Sequence, residues 1–468
     1  MITKILTLAT VLILLQSCIS NKSTQKTSHN IPTNFEGFSK DDSVSIAALP
    51  IDQFIKDSTL QKILNNAIDK NFDYKIALQN ILINEEKLRL TKAANHPNVN
   101  FDIAAKRTWQ SSNSLNGTLS DQLITSSYLD DYNLGLYFNW EILTWGRIKK
   151  MKEASLADYI KSIEATRVIK TRLVTDISQA YYKLIMLDAQ HKIVLKNIIL
   201  MEHSLKLTKL QFNSGLVTNL AVDQMQVQLD EAKRIIPEIE ENIITQENII
   251  RSISGEFPKG VIRSNILENS DMDDTFLVGI PAQLLKFRPD IREAESNVNS
   301  SLAKMGVSKR LMYPSIKLTA GIGLNSFQNF NWLNVPNSLF ETIGGGITQP
   351  ILQNRKLKTQ YNISKIELTK AKIEFDRVIV LAVKEVSDAL NKIKKNRESL
   401  VIEEAKLKNL NNAILRAELL YQNGQASYLE VISAQSKMLE SELSIVAIKS
   451  TISQANIELY RSLGGGWK

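Results

Sequence analysis

One cysteine and four histidines in 468 residues leave almost nothing from which to build a metal centre or a disulfide framework. Cys18 is the only thiol, and His29, His96, His191 and His203 are scattered along the chain. No Ser/His/Asp, metal-ligand or phosphate-loop constellation occurs, so the residues offer no support for an enzyme. The formal charge of +8 is not gathered into a basic face with interleaved aromatics, which argues against nucleic acid as a partner. There is no low-complexity half. Proline and glycine are missing altogether from Arg147 to Gln211, a stretch whose helix would run roughly 95 Å.

What is present begins at the N-terminus. Lys4, the apolar run Ile5 to Leu15 and then Leu15-Gln16-Ser17-Cys18 read as a secretory signal over residues 1–17. The run is too short to span a bilayer. Residues 18–57 are rich in Ser, Thr, Asn and Lys and read as an extended linker.

The rest of the chain says nearly the same thing twice. "LNNAIDKNFDYKIALQN" is matched by "PAQLLKFRPDIREAESN", with Asn71-Phe72-Asp73 against Arg288-Pro289-Asp290. "HPNVNFDIA" from His96 is matched by "YPSIKLTAG" from Tyr313, at the same offset of ~217 residues. Further on the offset becomes ~209, pairing "FNSGLVTNLAVDQMQ" from Phe212 with "YQNGQASYLEVISAQ" from Tyr421. Repeat 1 covers 58–260, a linker 261–278, and repeat 2 279–468.

Each repeat has the same order. A helix (Ser58 to Asn95 in the first) is stopped by proline, here Pro97. Two strands follow with period-2 alternation: Val99, Phe101 and Ile103, then Leu134, Leu136, Phe138, Trp140 and Ile142, are apolar. Repeat 2 answers with Ile316, Leu318, Ala320, Ile322 and Leu324 and with "TIGGGITQPIL". A long helix comes next with a heptad-like seam, Ile177, Ala180, Leu184, Leu187, His191, Val194, Ile198, and Ile379, Ala382, Val386, Ala389, Ile393, Asn396, Leu400. A glycine turn, at Gly215 and Gly424, then reverses the chain into a last helix of about forty residues.

Alternation with aromatics near the strand ends (Trp109, Tyr128, Trp145, Phe327, Trp332) is how a transmembrane β-barrel reads. One chain has four such strands, fewer than a barrel needs, so several chains must pool them. Gly135, Gly321, Gly323 and Gly345 are expected to face the lumen and leave it open. A soluble sheet capping a coiled coil fits the same pattern.

The order of elements, "IPAQLLKFRPDIREAE" followed by "YPSIKLTAGIG", "GGGITQPIL" and "YQNGQASYLEVISAQ" resemble the outer-membrane efflux proteins, the TolC-like outer-membrane factors. More narrowly they resemble the lipoprotein branch that works with RND-type pumps. The resemblance runs from about Phe54 to Gly464. It implies a mainly α fold with a small β part: long antiparallel helices forming a periplasmic α-barrel, and four β-strands per chain contributing to a trimeric 12-stranded transmembrane β-barrel. It implies lipid attachment at Cys18, which stands where the lipobox needs it, and a location in the outer membrane extending into the periplasm. The partners implied are two further copies, a periplasmic adaptor and an inner-membrane RND-type pump, with no cofactor and no chemistry of the duct's own. A duct for type I protein secretion and a lipid-anchored periplasmic scaffold are the competing readings.

Three sets of site residues follow. The turns at Gly215 and Gly424 are expected to form the periplasmic tip. Glu430 matches an acidic position that the family uses to narrow the tip. Ser433 stands where some members have a second acid, Ala221 where some have an aspartate, and Asp223 lies close by. Both acids equally suit a solvated helix near its N-terminus. Finally, Arg147, Lys149, Lys150, Arg355 and Lys356, with Lys87, Lys309, Arg310 and others, gather at the strand–helix junctions, where either contact with outer-membrane lipid headgroups or an ordinary solvated helix face is expected. His191, on the seam, is expected to be a packed residue. Trp467 has no expected role.

Overall fold

The computed structural model describes residues 46–111, 113–115, 118, 128–264 and 281–468. The leader, Cys18 and most of the linker lie outside the described residues. In chain order the elements are α1 (Ile51–Phe54), α2 (Ser58–Lys70), α3 (Phe72–Ala93), β1 (Asn98–Trp109), β2 (Tyr128–Leu143), α4 (Arg147–Asn213) and α5 (Asn219–Ile253). The second set is α6 (Leu284–Phe287), α7 (Pro289–Arg310), β3 (Ser315–Ser326), β4 (Leu339–Thr348), α8 (Lys356–Gln422) and α9 (Tyr428–Ser462).

The duplication holds to the residue in the long helices and in several of the shorter elements. α4 and α8 are both 67 residues, α5 and α9 both 35, α3 and α7 both 22, and β1 and β3 both 12. At 1.5 Å per residue each long helix runs about 100 Å. The seam is buried at Ile177, Ala180, Leu184, Leu187, Val194 and Ile198, and at Ile379, Ala382, Val386, Ala389 and Ile393. It fades at Asn396 and Leu400, which are partly exposed.

The helix expected over Ser58 to Asn95 is two helices, broken at Asn71. Asn71 takes φ −55°, ψ 131°, and its side chain accepts from Tyr74 N, capping α3. Arg288, its counterpart, breaks α6 from α7, with Pro289 at the first position of the new helix. The last helices span 35 residues each, not about forty.

The core has two parts. Near the break, Leu60, Leu64, Ala67, Leu173, Ile177, Tyr181 and Leu184 pack together with Ile250, Val261 and Ile457. Toward the glycine turns, Leu187, Val194, Met201, Leu205, Met225 and Leu229 pack with Tyr421, Val431 and Leu439. Both therefore join the two repeats. The linker begins packed, because Arg263 forks onto Asp188 at 2.5 and 2.8 Å and also meets Glu247.

The four strands form one antiparallel sheet in the order β1-β2-β3-β4.

Candidate functional site

The sheet has an apolar and a polar face, and the register assigns each residue to one of them. Phe101, Leu136 and Ile322 lie in one lateral row, and Val99, Phe138, Ala320 and Ile343 in the next. Glu341, opposite Ile322, is a charged residue in these apolar rows. The alternate rows, Asp102–Gly135–Gly323–Phe340 and Asn100–Tyr137–Gly321–Thr342, form the polar face. The outer edges of β1 and β4 are unpaired among the described residues, and nearly all of both strands is exposed.

The glycines correct one expectation. Gly345 pairs with Leu318 and so lies on the apolar face. Gly135, Gly321 and Gly323 are on the polar face, but they do not leave open space. A Cβ on Gly135 or Gly321 would stand 3.2 Å from the Tyr137 ring, and one on Gly323 would stand 2.9 Å from Phe340 and 2.2 Å from the Leu134 carbonyl. The glycines are a floor on which two aromatic rings lie.

Below the sheet, the strand–helix junctions are built alike. Trp145 and Gly146 (φ 49° and 74°) precede α4, and Asn354 and Arg355 (φ 48° and 62°) precede α8. Trp145 donates from Nε1 to the Pro314 carbonyl at 2.5 Å, and Arg310 Nε donates to the Trp145 carbonyl at 2.9 Å. The basic residues expected together here divide into two groups. Arg147 pairs with Glu141 at 2.6 Å, and Lys150 with Glu153. Lys149, Arg355 and Lys356 are exposed and have no ion pair among the described residues.

Where the short helices break, the structure adds residues that sequence reasoning missed. Arg288 is buried and meets Asp290 at 2.6 Å, Glu385 at 2.8 Å and the Ser462 carbonyl at 2.9 Å. Arg461 shares Glu385 at 3.0 Å, so one carboxylate from α8 sits between two guanidinium groups. Glu164 is 2% exposed and held by Arg167 and Arg292 at 2.7 and 2.8 Å. Trp467 stacks over Arg167 at 4.5 Å and donates to the carbonyls of Phe287 and Gly464. The signal was there in the alignment of Arg288 with the capping Asn71, but Glu385 and Ser462, which join Asp290 in holding it, lie far along the chain.

Two carboxylates here are held below their usual range. Lys70, Asn66 and Arg251 donate to Glu256, and their bonds hold its carboxyl down at about 2. Burial opposes the charge on Asp57, yet the hydroxyls of Ser264 and Tyr181 and two backbone amides still hold it below the usual carboxylate range.

At the far end of the long helices the turns are as expected. Gly215 and Gly424 take φ 73° and 70°, the left-handed values that end a helix. Ser427 caps α9 and donates to Glu430 at 2.5 Å, a capping box that holds the Glu430 carboxyl below its ordinary value. Asp223 is exposed and accepts from Asn219 at 3.0 Å, while Ala221 is buried and Ser433 exposed. The turns' surroundings are apolar and open, with Leu216, Leu220 and Leu429 more than half exposed. His191 is half-buried, 3.6 Å from Glu240.

One further feature is a missing half. α4 has α3, α5, α7 and α9 as neighbours, whereas α8, of equal length, has substantial contact only with α7 and α9. Accordingly 23 residues of α4 are buried and 12 of α8. By the internal repeat, α8 lacks an α3 and an α5.

No described helix is long and apolar enough to cross a membrane, which says nothing of the sheet. Among the described residues no group of three or more His, Cys, Asp or Glu side chains could hold a metal.

Comparison with known proteins agrees with this architecture. The family described as "Outer membrane efflux protein" matches residues 63–256 and 280–465, one match per repeat. The cation efflux system protein CusC of Escherichia coli O6:H1 is 25% identical over 415 residues, covering 89% of this chain and 88% of CusC. A probable outer membrane lipoprotein of Salmonella typhimurium, SilC, is 24% identical, with 88% and 87% covered. A crystal structure of CusC superposes with a TM-score of 0.82 at 23% identity, covering 94% of this chain and 98% of that one. The chain belongs to the outer membrane efflux protein family.

Proposed function

We propose that three copies of this chain close into one tube that serves as the exit duct of a tripartite efflux system. The sheets of the three copies supply a 12-stranded barrel in the outer membrane, and their helices a tunnel across the periplasm. A periplasmic adaptor and an inner-membrane RND-type pump load the duct, which conducts small molecules passively and performs no chemistry of its own.

The observation that carries this reading is the sheet: one face apolar, one polar, both edges unpaired. Such a sheet is stable in lipid only when its edges close on other strands. A head-to-tail contact that closes gives a ring. The apolar rows then face lipid, and the rows with Asp102, Asn100 and Thr342 face the lumen.

Cys18 is the proposed lipid attachment, in keeping with the lipoprotein relative. The free cations at the junction, Lys149, Arg355 and Lys356, are proposed to meet headgroup phosphates of the inner leaflet. Arg147 and Lys150, already paired within the chain, contribute less. Gly215 and Gly424 mark the proposed periplasmic tip, and Glu430 and Asp223 its acidic groups.

Crosslinked capture of the tagged protein from whole envelopes tests the assignment. An adaptor and an RND-type pump are expected among the captured proteins. An ABC transporter in their place would reassign the duct to protein secretion, and capture of no inner-membrane partner would leave only an anchored scaffold.

A further inference from the structure

The two repeats meet each other within one chain along α4 and α7, where a few polar contacts accompany the Arg292–Glu164 pair. Asp158 on α4 accepts from Ser300 at 2.6 Å and pairs with Lys304 at 3.0 Å on α7. Lys161 on α4 donates to Asn297 on α7 at 3.0 Å.

The internal repeat carries each of these positions onto α8 or α3, beside the flank of each helix that is left open in the single chain. On α8, Glu367 stands where α4 has Asp158, and Lys370 where it has Lys161. On α3, Lys87 stands where α7 has Lys304, and Asn80 where it has Asn297. Acid, lysine, lysine and asparagine recur in kind. All four are exposed, and among the described residues none has an ion pair or side-chain hydrogen bond.

We infer that α8 of one copy packs on α3 of the next in the manner in which α4 packs on α7, with Glu367 pairing with Lys87 and Lys370 with Asn80 across the seam. This rests on the assembly proposed above and specifies which surfaces build it.

The apolar residues around these four agree. Ile76, Ile83 and Leu90 form an outward stripe on α3 at steps of seven, and Ile366, Ile373 and Val380 form one on α8. Each of the six is at least half exposed in the single chain. A seven-residue apolar stripe is the mark of a helix that packs along another. The seams also differ. Ile373 replaces the buried Glu164, and Ile83 replaces Ser300, so the seam between copies is more apolar than the one within a chain. A second copy is the occupant that fits, because its α3 carries the complementary charges at the complementary spacing.

Zero-length carbodiimide coupling, which joins a carboxylate to an amine in contact, tests the pairing. Two differently tagged chains are produced together, one carrying Glu367→Gln and the other Lys87→Gln. A link between Lys87 of the first and Glu367 of the second then arises only between copies. That link is expected after purification on both tags, at a yield per competent seam, of which each mixed trimer has one in three, within about twofold of the Asp158–Lys304 link, which forms within each chain. A trimer that yields the Asp158–Lys304 link and no 367–87 link would overturn the seam and leave the assembly standing. A particle that is monomeric by native mass spectrometry would overturn the assembly itself. As a second measurement, Glu367→Lys alone is expected to lower the trimer fraction at least fivefold in mild detergent, and Lys87→Glu added to it to restore most of the loss. No rescue would count against the pair.

Discussion

The side chain of Asn71 donates to the carbonyl of Ile253 at 2.8 Å, tying the point where one helix breaks to the end of the repeat's last helix. Repeat 2 makes the same tie with different chemistry, Arg288 to the Ser462 carbonyl at 2.9 Å. Asn71 also caps a helix, and its replacement by Ala is expected to cost about 1–2 kcal/mol. Arg288→Ala also strips a guanidinium from Glu385 and Asp290, and is expected to cost about 3 kcal/mol or more. Thermal unfolding of the two variants in detergent checks this. Equal losses would mean that the charged contacts of Arg288 contribute little.

Glycines at positive φ fall into two classes. A Cβ on Gly255 would stand 2.7 Å from the Lys70 carbonyl oxygen, and one on Gly464 2.6 Å from the Phe287 carbonyl carbon. Around Gly215 and Gly424 there is nothing within 4 Å. Gly215→Ala and Gly424→Ala should therefore cost only the left-handed strain, about 1–2 kcal/mol. Gly255→Ala and Gly464→Ala are expected to cost at least twice that, because backbone must move as well. The four unfolding temperatures rank the sites directly.

Acid stability should depend on Glu256. Folded, its carboxyl stays ionised down to about 2, whereas its ordinary value is 4.5. Between these values the unfolded chain binds the extra proton, so the stabilisation is complete above pH 4.5 and is lost as the pH falls toward 2. Glu256→Gln is expected to flatten the unfolding temperature across that window and to change its slope little at neutral pH. An unchanged acid limb would remove Glu256 from the account.

At the tip, Glu430→Gln separates charge from capping, since glutamine serves equally at that place in a capping box. If Glu430 helps to line the duct's narrow end, the variant should show lower cation preference in planar bilayers while its helix content stays the same. An unchanged preference would leave Glu430 as a cap and no more.

The sequence by itself determined the duplication, the order of elements and the turns, because these rest on local signals. Pro97 and Pro314 lead into strands, Gly215 and Gly424 supply left-handed turns, and alternation gives each strand its two faces. It also carried the resemblance to the family, since "RPDIREAE" and "YQNGQASYLEVISAQ" are contiguous.

Tertiary structure decided what depends on contact between distant segments. The break at Asn71 carries no proline in repeat 1, and "NFDYKIALQN" reads as uninterrupted helix. The turn there is held by a bond to Ile253, 182 residues away. Gly345 was assigned to the wrong face because a run of three glycines has no apolar alternation of its own, so only pairing with Leu318 fixes its side. Trp467 and Arg288 found their places only once α4, α7 and α9 had come together. The same is true of the open flank of α8: its residues read as an ordinary helix surface until α4, its twin, is seen to be covered on the corresponding side.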